Sequence, residues 1–269
     1  MSKAPSVNIY IPVKNGADFI GDAIESILSQ SYENLVLKIF DNCSTDETEE
    51  IVNSYAKSSK LFYHKNEVDV GIVNNFNNCL DDVISDYYMI LSHDDLFLDN
   101  KAIEKAVQIM ESDSEIVKVH ADMQFTDAKG RCIMERKFPQ NKKCLSNRIA
   151  KSSILSIRNM YGIPLLIKSS ALGDIRYDSK LPNSLDLDFS ILIGKNQCIY
   201  HINETILGIR FHNNNHTHKS TYTLFSEFRA IAIKNNIRLT FIDIAYMSLK
   251  NIQQIFSKKL FYFYLTKIR

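Results

Sequence analysis

The tetrapeptide Ser92–Asp95, with the sequence Ser-His-Asp-Asp, has the clearest chemical potential in this chain. It directly follows Tyr87–Leu91, an apolar and aromatic run with the composition of a buried strand. Two adjacent carboxylates repel each other there, and a cation bound between them and an anion relieves the repulsion. The pattern is typical of a divalent metal that bridges a phosphate during nucleotide-dependent transfer. The alternative is a polar turn whose Asp caps a helix beginning near Leu96 or Asn100.

This strand belongs to a series of alternating strand and helix patterns that fills residues 1–115. The strand segments are β-rich, and each helix segment places its apolar residues on one face. Such alternation with short connections predicts a doubly wound, mostly parallel sheet of the α/β class. The predicted strands are 7–13, 35–40, 61–64 and 87–91, and the predicted helices are 17–31, 46–58, 72–84 and 100–112.

Polar clusters follow three of the predicted strands. They are Lys14-Asn15-Gly16 after the first, Asp41-Asn42 after the second and Ser92–Asp95 after the fourth. Ligands of open α/β sheets bind outside the carboxyl ends of the strands. The three clusters therefore predict a single binding crevice.

The pattern changes after residue 115 to one typical of a small mixed sheet. We predict strands at 116–125, 132–134 and 199–211, a mobile basic loop at 138–152, and an amphipathic segment at 186–196. From about residue 221 the chain has a helical pattern. We therefore divide it into a catalytic domain over 1–220, with halves 1–115 and 116–220, and a helical extension over 221–269.

The composition of the 269 residues excludes several classes of protein. A formal net charge of +1 gives no general attraction to nucleic acid. The five cysteines are widely spaced without a C-x-x-C pair, which argues against a zinc ribbon or a disulfide framework. We see no secretory leader and no uncharged run of the roughly 20 apolar residues that a spanning helix needs. We expect a cytoplasmic protein.

Seven motifs in order resemble the family 2 glycosyltransferases, and the resemblance covers about residues 6–216. It implies a single GT-A-like, Rossmann-like domain, a nucleotide-sugar donor, Mn²⁺ or Mg²⁺ as cofactor, and inversion at the anomeric carbon. The enzymes that it resembles serve bacterial surface-polysaccharide synthesis. The motifs are residues 9–16, 23–32, 41–46, 66–77, 91–95, 186–188 and 210–212.

The resemblance implies a metal site at Asp94, which matches the last Asp of the family's D-x-D motif. Ser92 stands where the family has the first Asp, so the site has one carboxylate fewer, and Asp95 has a supporting role. His212 matches a position near the donor phosphates that serves as a metal ligand in some members. His93 occupies the variable middle position and is expected to contact the donor.

The resemblance also implies a donor pocket, in which Asp41 binds the base or ribose. A carboxylate there accepts a hydrogen bond from the imide N–H of uracil or thymine. The alternative is that Asp41 only organises a turn and a helix cap. The donor-binding residues so implied are Pro12, Val13, Asn15, Asp41, Asn77, Ser92, His93 and Asp94.

Asp186 and Asp188 are the expected catalytic residues. Inversion by single displacement needs a base within about 2.6–3.2 Å of the acceptor hydroxyl, and partial desolvation suits a carboxylate to this role. Asp186 matches the Asp of the family's acidic pair, whose first member is replaced here by Leu185, and Asp188 is the fallback. A simple helix cap is the alternative.

The segment 255–269 is aromatic and basic, which favours contact with a membrane interface. Packing against the catalytic domain, or a contact in a homo-oligomer, is the alternative. A lipid-linked acceptor would place such an enzyme on the inner face of the cell membrane.

We therefore expect a hexosyltransferase that moves a sugar from a UDP- or dTDP-linked donor to a hydroxyl of a glycan or lipid-linked glycan. O-antigen or capsule synthesis is the expected setting. The alternatives are a catalytically weakened nucleotide-sugar-binding module, which Ser92 and Leu185 favour, and a nucleotidyltransferase on a similar sheet. Redox use of the sheet is disfavoured because G-x-G-x-x-G is absent.

Overall fold

A computed structural model describes residues 4–138, 143–156, 158–212 and 224–253 of the chain. Its first half has the predicted alternation of strands and helices, interrupted by the short strand Leu96–Phe97 between the fourth strand and the fourth helix. The strands are β1 (Val7–Val13), β2 (Leu35–Asp41), β3 (Leu61–Lys65) and β4 (Tyr87–Ile90). The helices are α1 (Ile20–Leu28), α2 (Thr48–Ser54), α3 (Ile72–Asp81) and α4 (Ala102–Ser112).

The second half adds strands of both directions. The strands are β5 (Leu96–Phe97), β6 (Ile116–Thr126), β7 (Cys132–Arg136), β8 (Lys143–Leu145), β9 (Pro164–Lys168) and β10 (Cys198–Arg210). The helices are α5 (Ser146–Ser156), α6 (Leu185–Ile193) and α7 (Leu224–Lys234), and residues 241–253 are helical as well.

All ten strands of the described residues form one sheet, in the order β3-β2-β1-β4-β9-β6-β10-β5, with β7 on β6 and β8 on β10. The pairs among β1 to β4 are parallel, and β6 pairs in parallel with β10. β9 is antiparallel to both β4 and β6. The α/β class with a mostly parallel centre is thus confirmed, and the mixed region continues the parallel sheet through β9.

The apolar pattern of the sequence explains where the core lies. Every residue of β1 is buried, because helices cover both faces of this central strand. On one face α1 buries Ile20, Ala23, Ile24 and Ile27, which recur at helical spacing. Full burial of each such large aliphatic side chain is worth about 1.5–3 kcal/mol.

The predicted mobile loop at 138–152 is wrong over its described part, because residues 143–145 form β8 and residues 146–156 form α5. β8 pairs with β10, and α5 buries Ala150 and Ile154 against α6 and α7. Lys143 forms ion pairs with Asp113 and Glu115. Lys143, Arg148 and Lys151, three of the basic residues that suggested a loop, therefore lie on the outer side of β8 and α5.

Lys118 is a fully buried cation within β6. Its Nζ donates a hydrogen bond to the Ser190 carbonyl of α6 at 2.7 Å and lies 4.4 Å from the centre of the Tyr161 ring. Desolvation by burial lowers the pKa of this ammonium to about 7. The charged form is thus disfavoured in the folded state.

Replacing Lys118 by methionine is expected to change how stability depends on pH. The folded-state pKa of about 7 lies below the ordinary value of 10.5, so the unfolded chain binds more protons between these pH values. Wild-type stability therefore rises over that window, and Lys118→Met removes the rise. Thermal melts at pH 6.5, 8 and 9.5 measure it, with Lys195→Met as an exposed control. A constant difference in Tm between wild type and Lys118→Met would contradict the expectation.

Candidate active site

The loops after β1 and β2 are joined by hydrogen bonds at the carboxyl edge of the sheet. Asn15 has a left-handed backbone with φ of 52°, which asparagine tolerates better than most residues. Its backbone N–H donates to Ser44 Oγ at 2.8 Å, and its Oδ1 accepts from the Thr45 N–H at 2.9 Å. The predicted Asn15 is therefore a fixed part of this edge.

Asp41 lies at the end of β2 with no exposed surface. Its Oδ1 accepts from the Ser44 N–H at 2.8 Å, and its Oδ2 accepts from the Tyr63 hydroxyl at 2.6 Å. The first contact closes the loop after β2, and the second ties the end of β2 to β3. Pro12 and Val13 are likewise buried, in the last two positions of β1. Donor contact by these three residues stays a prediction, and for Asp41 it requires a neighbouring side chain to move.

His93 packs directly against the loop after β1. A Cβ atom placed on Gly16 would lie 2.6 Å from His93 Cδ2, so this close approach requires glycine. Desolvation lowers the pKa of His93, which favours the neutral imidazole. Ser92 is half-buried beside it, and the Ser92 carbonyl accepts the Asp95 N–H at 3.1 Å in a tight turn.

Asp94 and His212 meet although 118 residues separate them. The Asp94 Oδ2 lies 2.9 Å from His212 Nε2, and Asp94 is buried to 8% exposure. The His212 ring contacts Phe19, with ring centres 4.6 Å apart. The structure thus brings together the two residues that were predicted as metal ligands.

The chemistry and spacing of this pair fit a divalent cation. Neighbouring ligands of an octahedral cation at about 2.0–2.2 Å are themselves about 3 Å apart, close to the observed separation of the two atoms. Carboxylate oxygen and imidazole nitrogen together suit Mn²⁺. Among the described residues there is no group of three or more His, Cys, Asp or Glu side chains that could hold a metal.

Asp95 joins the loop after β4 to β10. It is buried, and its Oδ1 accepts from the Arg210 backbone N–H at 3.1 Å. Desolvation raises its pKa well above the ordinary value, and the charges of Asp94 and Asp186 raise it further. The supporting role of Asp95 at the metal site stays a prediction, and α4 begins at Ala102 without it as a cap.

Asp186 lies in the first turn of α6, where its side chain is exposed. Desolvation nevertheless raises its pKa to about 6. Its charge also raises the pKa of Asp95 and of the buried Tyr177, so all three lie in one region. Asp186 is thus accessible to solvent while the surrounding protein raises its pKa, a combination that suits a general base.

Asp188 points away from Asp186, because residues two apart on a helix diverge by about 200°. It is 1% exposed, and its Oδ2 pairs with Lys234 Nζ at 2.7 Å. Its Oδ1 accepts from Asn235 Nδ2 at 3.2 Å. The Asp188 carboxylate therefore ties α6 to α7, and this geometry favours Asp186 as the base.

Asn77 is held by a backbone segment 100 residues away. Its Nδ2 donates to the Tyr177 carbonyl at 3.2 Å, and its Oδ1 accepts the Tyr177 N–H at 2.8 Å. The Tyr177 ring stacks on Phe189 of α6 with ring centres 4.4 Å apart. Asn77 thus positions the chain that leads into α6, and direct donor contact by Asn77 stays a prediction.

The sequence patterns did not predict three contacts at the carboxyl edge of the sheet. Lys14 forms an ion pair with Asp69, and Arg210 Nη2 lies 2.8 Å from Asp22 Oδ2. Tyr63 holds Asp41. An Asp two residues before Gly71 is a turn signal that would have drawn attention to Asp69. Nothing in the local sequence indicates the partners of Arg210 and Tyr63.

Comparison with known proteins identifies similar chains. Glycosyl transferase family 2 matches residues 8–169, more than half of the sequence. An uncharacterized glycosyltransferase of Rickettsia typhi is 29% identical over 216 residues, covering 78% of this chain and 65% of the relative. The chain spans 35–65% of the length of the Rickettsia felis and Rickettsia typhi relatives that it matches.

Two solved structures share the fold at low identity. Staphylococcus aureus TarS 1–349 in complex with UDP-GlcNAc matches with a TM-score of 0.71 and 16% identity, over 91% of this chain and 70% of that one. The mannosyltransferase PcManGT of Pyrobaculum calidifontis, in complex with GDP-Man and Mn²⁺, matches with a TM-score of 0.55 and 13% identity, over 94% and 81%.

Proposed function

Because the chain belongs to glycosyl transferase family 2, we propose that it transfers a sugar from a nucleoside diphosphate to an acceptor hydroxyl with inversion. The observation that supports this most directly is the Asp94–His212 pair at the carboxyl edge of the sheet, in the same region as Asp186. The leaving diphosphate needs a cation that neutralises its charge, and the acceptor hydroxyl needs a base that removes its proton. Different residues are the candidates for these two roles.

Asp186 is the proposed base. At neutral pH a carboxyl with a pKa of about 6 is mostly ionised, and it is a stronger base than an ordinary Asp. The acceptor oxygen attacks the anomeric carbon as its proton passes to Asp186, and the bond from that carbon to the donor's β-phosphate oxygen breaks. Asp94 and His212 are the proposed ligands of Mn²⁺ or Mg²⁺, which when bound neutralises the departing diphosphate.

We propose UDP or dTDP as the nucleotide, since a carboxylate at Asp41 suits an imide N–H. The proposed pocket also uses Pro12, Val13 and Asn15 near the base. Asn77, Ser92 and His93 are the remaining proposed donor contacts. TarS, which shares the fold, is known in complex with UDP-GlcNAc.

The proposed acceptor is a hydroxyl of a glycan or lipid-linked glycan in bacterial polysaccharide synthesis, such as O-antigen or capsule. A lipid-linked acceptor would bring a cytoplasmic enzyme to the inner face of the cell membrane. The sequence 255–269, proposed as a membrane or homo-oligomer contact, lies outside the described residues. None of the described helices has the length and apolar character needed to cross a bilayer.

A melting-temperature screen with nucleotide-sugars tests the proposal. A donor at about 100 times its Kd stabilises the folded chain by about 2.7 kcal/mol, so the correct donor raises Tm by several degrees. We expect the rise with a UDP- or dTDP-sugar and a larger rise with Mn²⁺. Release of nucleoside diphosphate with that donor then measures turnover. No response to any nucleotide-sugar would reject the proposal.

A catalytically weakened nucleotide-sugar-binding module is the second candidate, and Ser92 and Leu185 in place of two carboxylates favour it. Ser92 in place of a carboxylate reduces the charge available to a cation. Such a protein would show the donor-dependent rise in Tm and no release of diphosphate with any acceptor. Release of pyrophosphate from a nucleoside triphosphate would instead indicate nucleotidyl transfer.

A further inference from the structure

The helix at residues 241–253 presents large apolar side chains to solvent. Phe241 is 87% exposed, Ile242 78% and Leu249 68%. Ile252 and Tyr246 are exposed to 51% and 46%. We call these five side chains the apolar face.

The apolar face is opposite to the side by which the helix is attached. At 100° per residue the five side chains span an arc of about 140°. Met247 points the other way and is fully buried in the cluster that α5, α6 and α7 form. A surface helix normally has polar residues on its outer side, so the composition of this one is unusual.

A capping box fixes where this helix begins. The Thr240 N–H donates to Asp243 Oδ2 at 2.8 Å, and the Asp243 N–H donates to Thr240 Oγ1 at 3.1 Å. The capping hydrogen bonds lower the pKa of Asp243, and the charge of Lys151 contributes. Asp243, the single acidic residue of this helix, thus caps its N-terminus and lies outside the apolar face.

The sequence from Ile244 to Arg269 carries positive but no negative side chains. Residues 244–269 contain five Lys or Arg residues and no Asp or Glu. Lys250 lies beside the apolar face, with its Nζ 5.7 Å from the centre of the Tyr246 ring. This excess of positive charge complements a surface with anionic headgroups.

We propose that the apolar face docks on a membrane surface that contains anionic lipids. Apolar side chains on one side of a helix and flanking cations are the combination that interfacial helices use. The preceding helix α7 is tied to α6 through Lys234 and Asp188. Because α6 also carries Asp186, docking would keep the proposed base in the helical layer that contacts lipid.

Flotation of the full-length chain with lipid vesicles tests this docking, and it requires no enzymatic activity. We expect binding to phosphatidylglycerol vesicles, weak binding to phosphatidylcholine vesicles, and weaker binding at 0.5 M salt. The double variant Phe241→Ser/Leu249→Ser removes two exposed side chains and should lower the partition coefficient at least about tenfold. Its Tm should stay at the wild-type value, because neither side chain is buried.

The matched control is Phe62→Ser/Ile84→Ser, which removes two exposed apolar side chains elsewhere, 57% and 85% exposed. It should bind vesicles like the wild type. Equal binding by both double variants, or no binding to either vesicle, would overturn the proposal. So would light scattering that shows a dimer dissociated by Phe241→Ser/Leu249→Ser, since the occupant would then be a second copy. Normal donor turnover with failed flotation would overturn the docking alone.

Discussion

Replacing Asp186 by asparagine is expected to lower kcat by about 10²–10⁴-fold, the usual contribution of a general base. The amide keeps the shape and hydrogen-bonding capacity of the side chain but cannot take the acceptor's proton. Donor binding should be unchanged, since Asp186 has no proposed contact with the nucleotide. Steady-state kinetics and a donor titration separate these two quantities. Wild-type kcat in Asp186→Asn would refute the assignment.

The pH dependence of kcat/KM tests the same assignment of Asp186 as the base. The base acts only when ionised, so wild-type kcat/KM should rise with pH through about 6 and level off above it. In Asp186→Asn the residual activity should lack this step. A profile that rises instead through an ordinary carboxylate pKa near 4 would argue for another base.

Stability provides a readout that is independent of activity. The folded-state pKa of Asp186 lies above its ordinary value of 3.8, so the folded chain binds more protons than the unfolded chain between these values. Wild-type stability therefore falls as pH rises from 3.8 through about 6. Asp186→Asn lacks this loss and should melt higher than wild type at pH 8 but not at pH 3.5. Asp188→Asn is the matched control, since it weakens the Lys234 pair and should lower Tm with little effect on kcat.

Replacing Asp94 by alanine is expected to have the second large effect, a fall in kcat of about 10³-fold. Charge stabilisation by a metal is worth several kcal/mol in the transition state, and each 1.36 kcal/mol is a factor of ten. His212→Ala should act in the same direction. Because the two side chains are in contact and would share one cation, the double variant should lose less than the sum of the two free energies.

Metal binding can be measured without turnover. Titration of Mn²⁺ in the presence of a nucleoside diphosphate should show weaker binding to Asp94→Ala and to His212→Ala than to wild type. Glu47→Ala changes an acidic residue at the start of α2 and serves as the control. Unchanged Mn²⁺ affinity in both variants would remove Asp94 and His212 as ligands, even if activity fell.

The sequence predicted most of the sheet because its signals are local. β1 was predicted to its last residue, since a run rich in β-branched and aromatic residues ends at a polar cluster. β9 was missed because Pro164–Lys168 is short, follows no helix pattern and gains its identity only by pairing with β4 and β6. α5 was missed for a similar reason, because polar residues surround Ala150 and Ile154, the two apolar side chains that it buries.

The candidate site shows the same division between local and distant signals. Asp94 and Asp186 were chosen from motifs that lie within a few residues of each. The surroundings of Asp41, Asn77 and Asp188 depend on partners 22, 100 and 46 residues away. No local pattern indicates whether a carboxylate at such a position faces a ligand or a lysine.

The position of β10 between β6 and β5 has a consequence for the order of assembly. A nascent chain that has emerged only as far as residue 197 contains Asp94 and the whole of β1 to β4, but it lacks the strand that brings His212 to Asp94. Such long-range pairing is slow to form, and domains fold as their last strands become available. The proposed metal pair therefore cannot exist in an incomplete chain, and cation binding at Asp94 and His212 would mark a molecule whose sheet is complete.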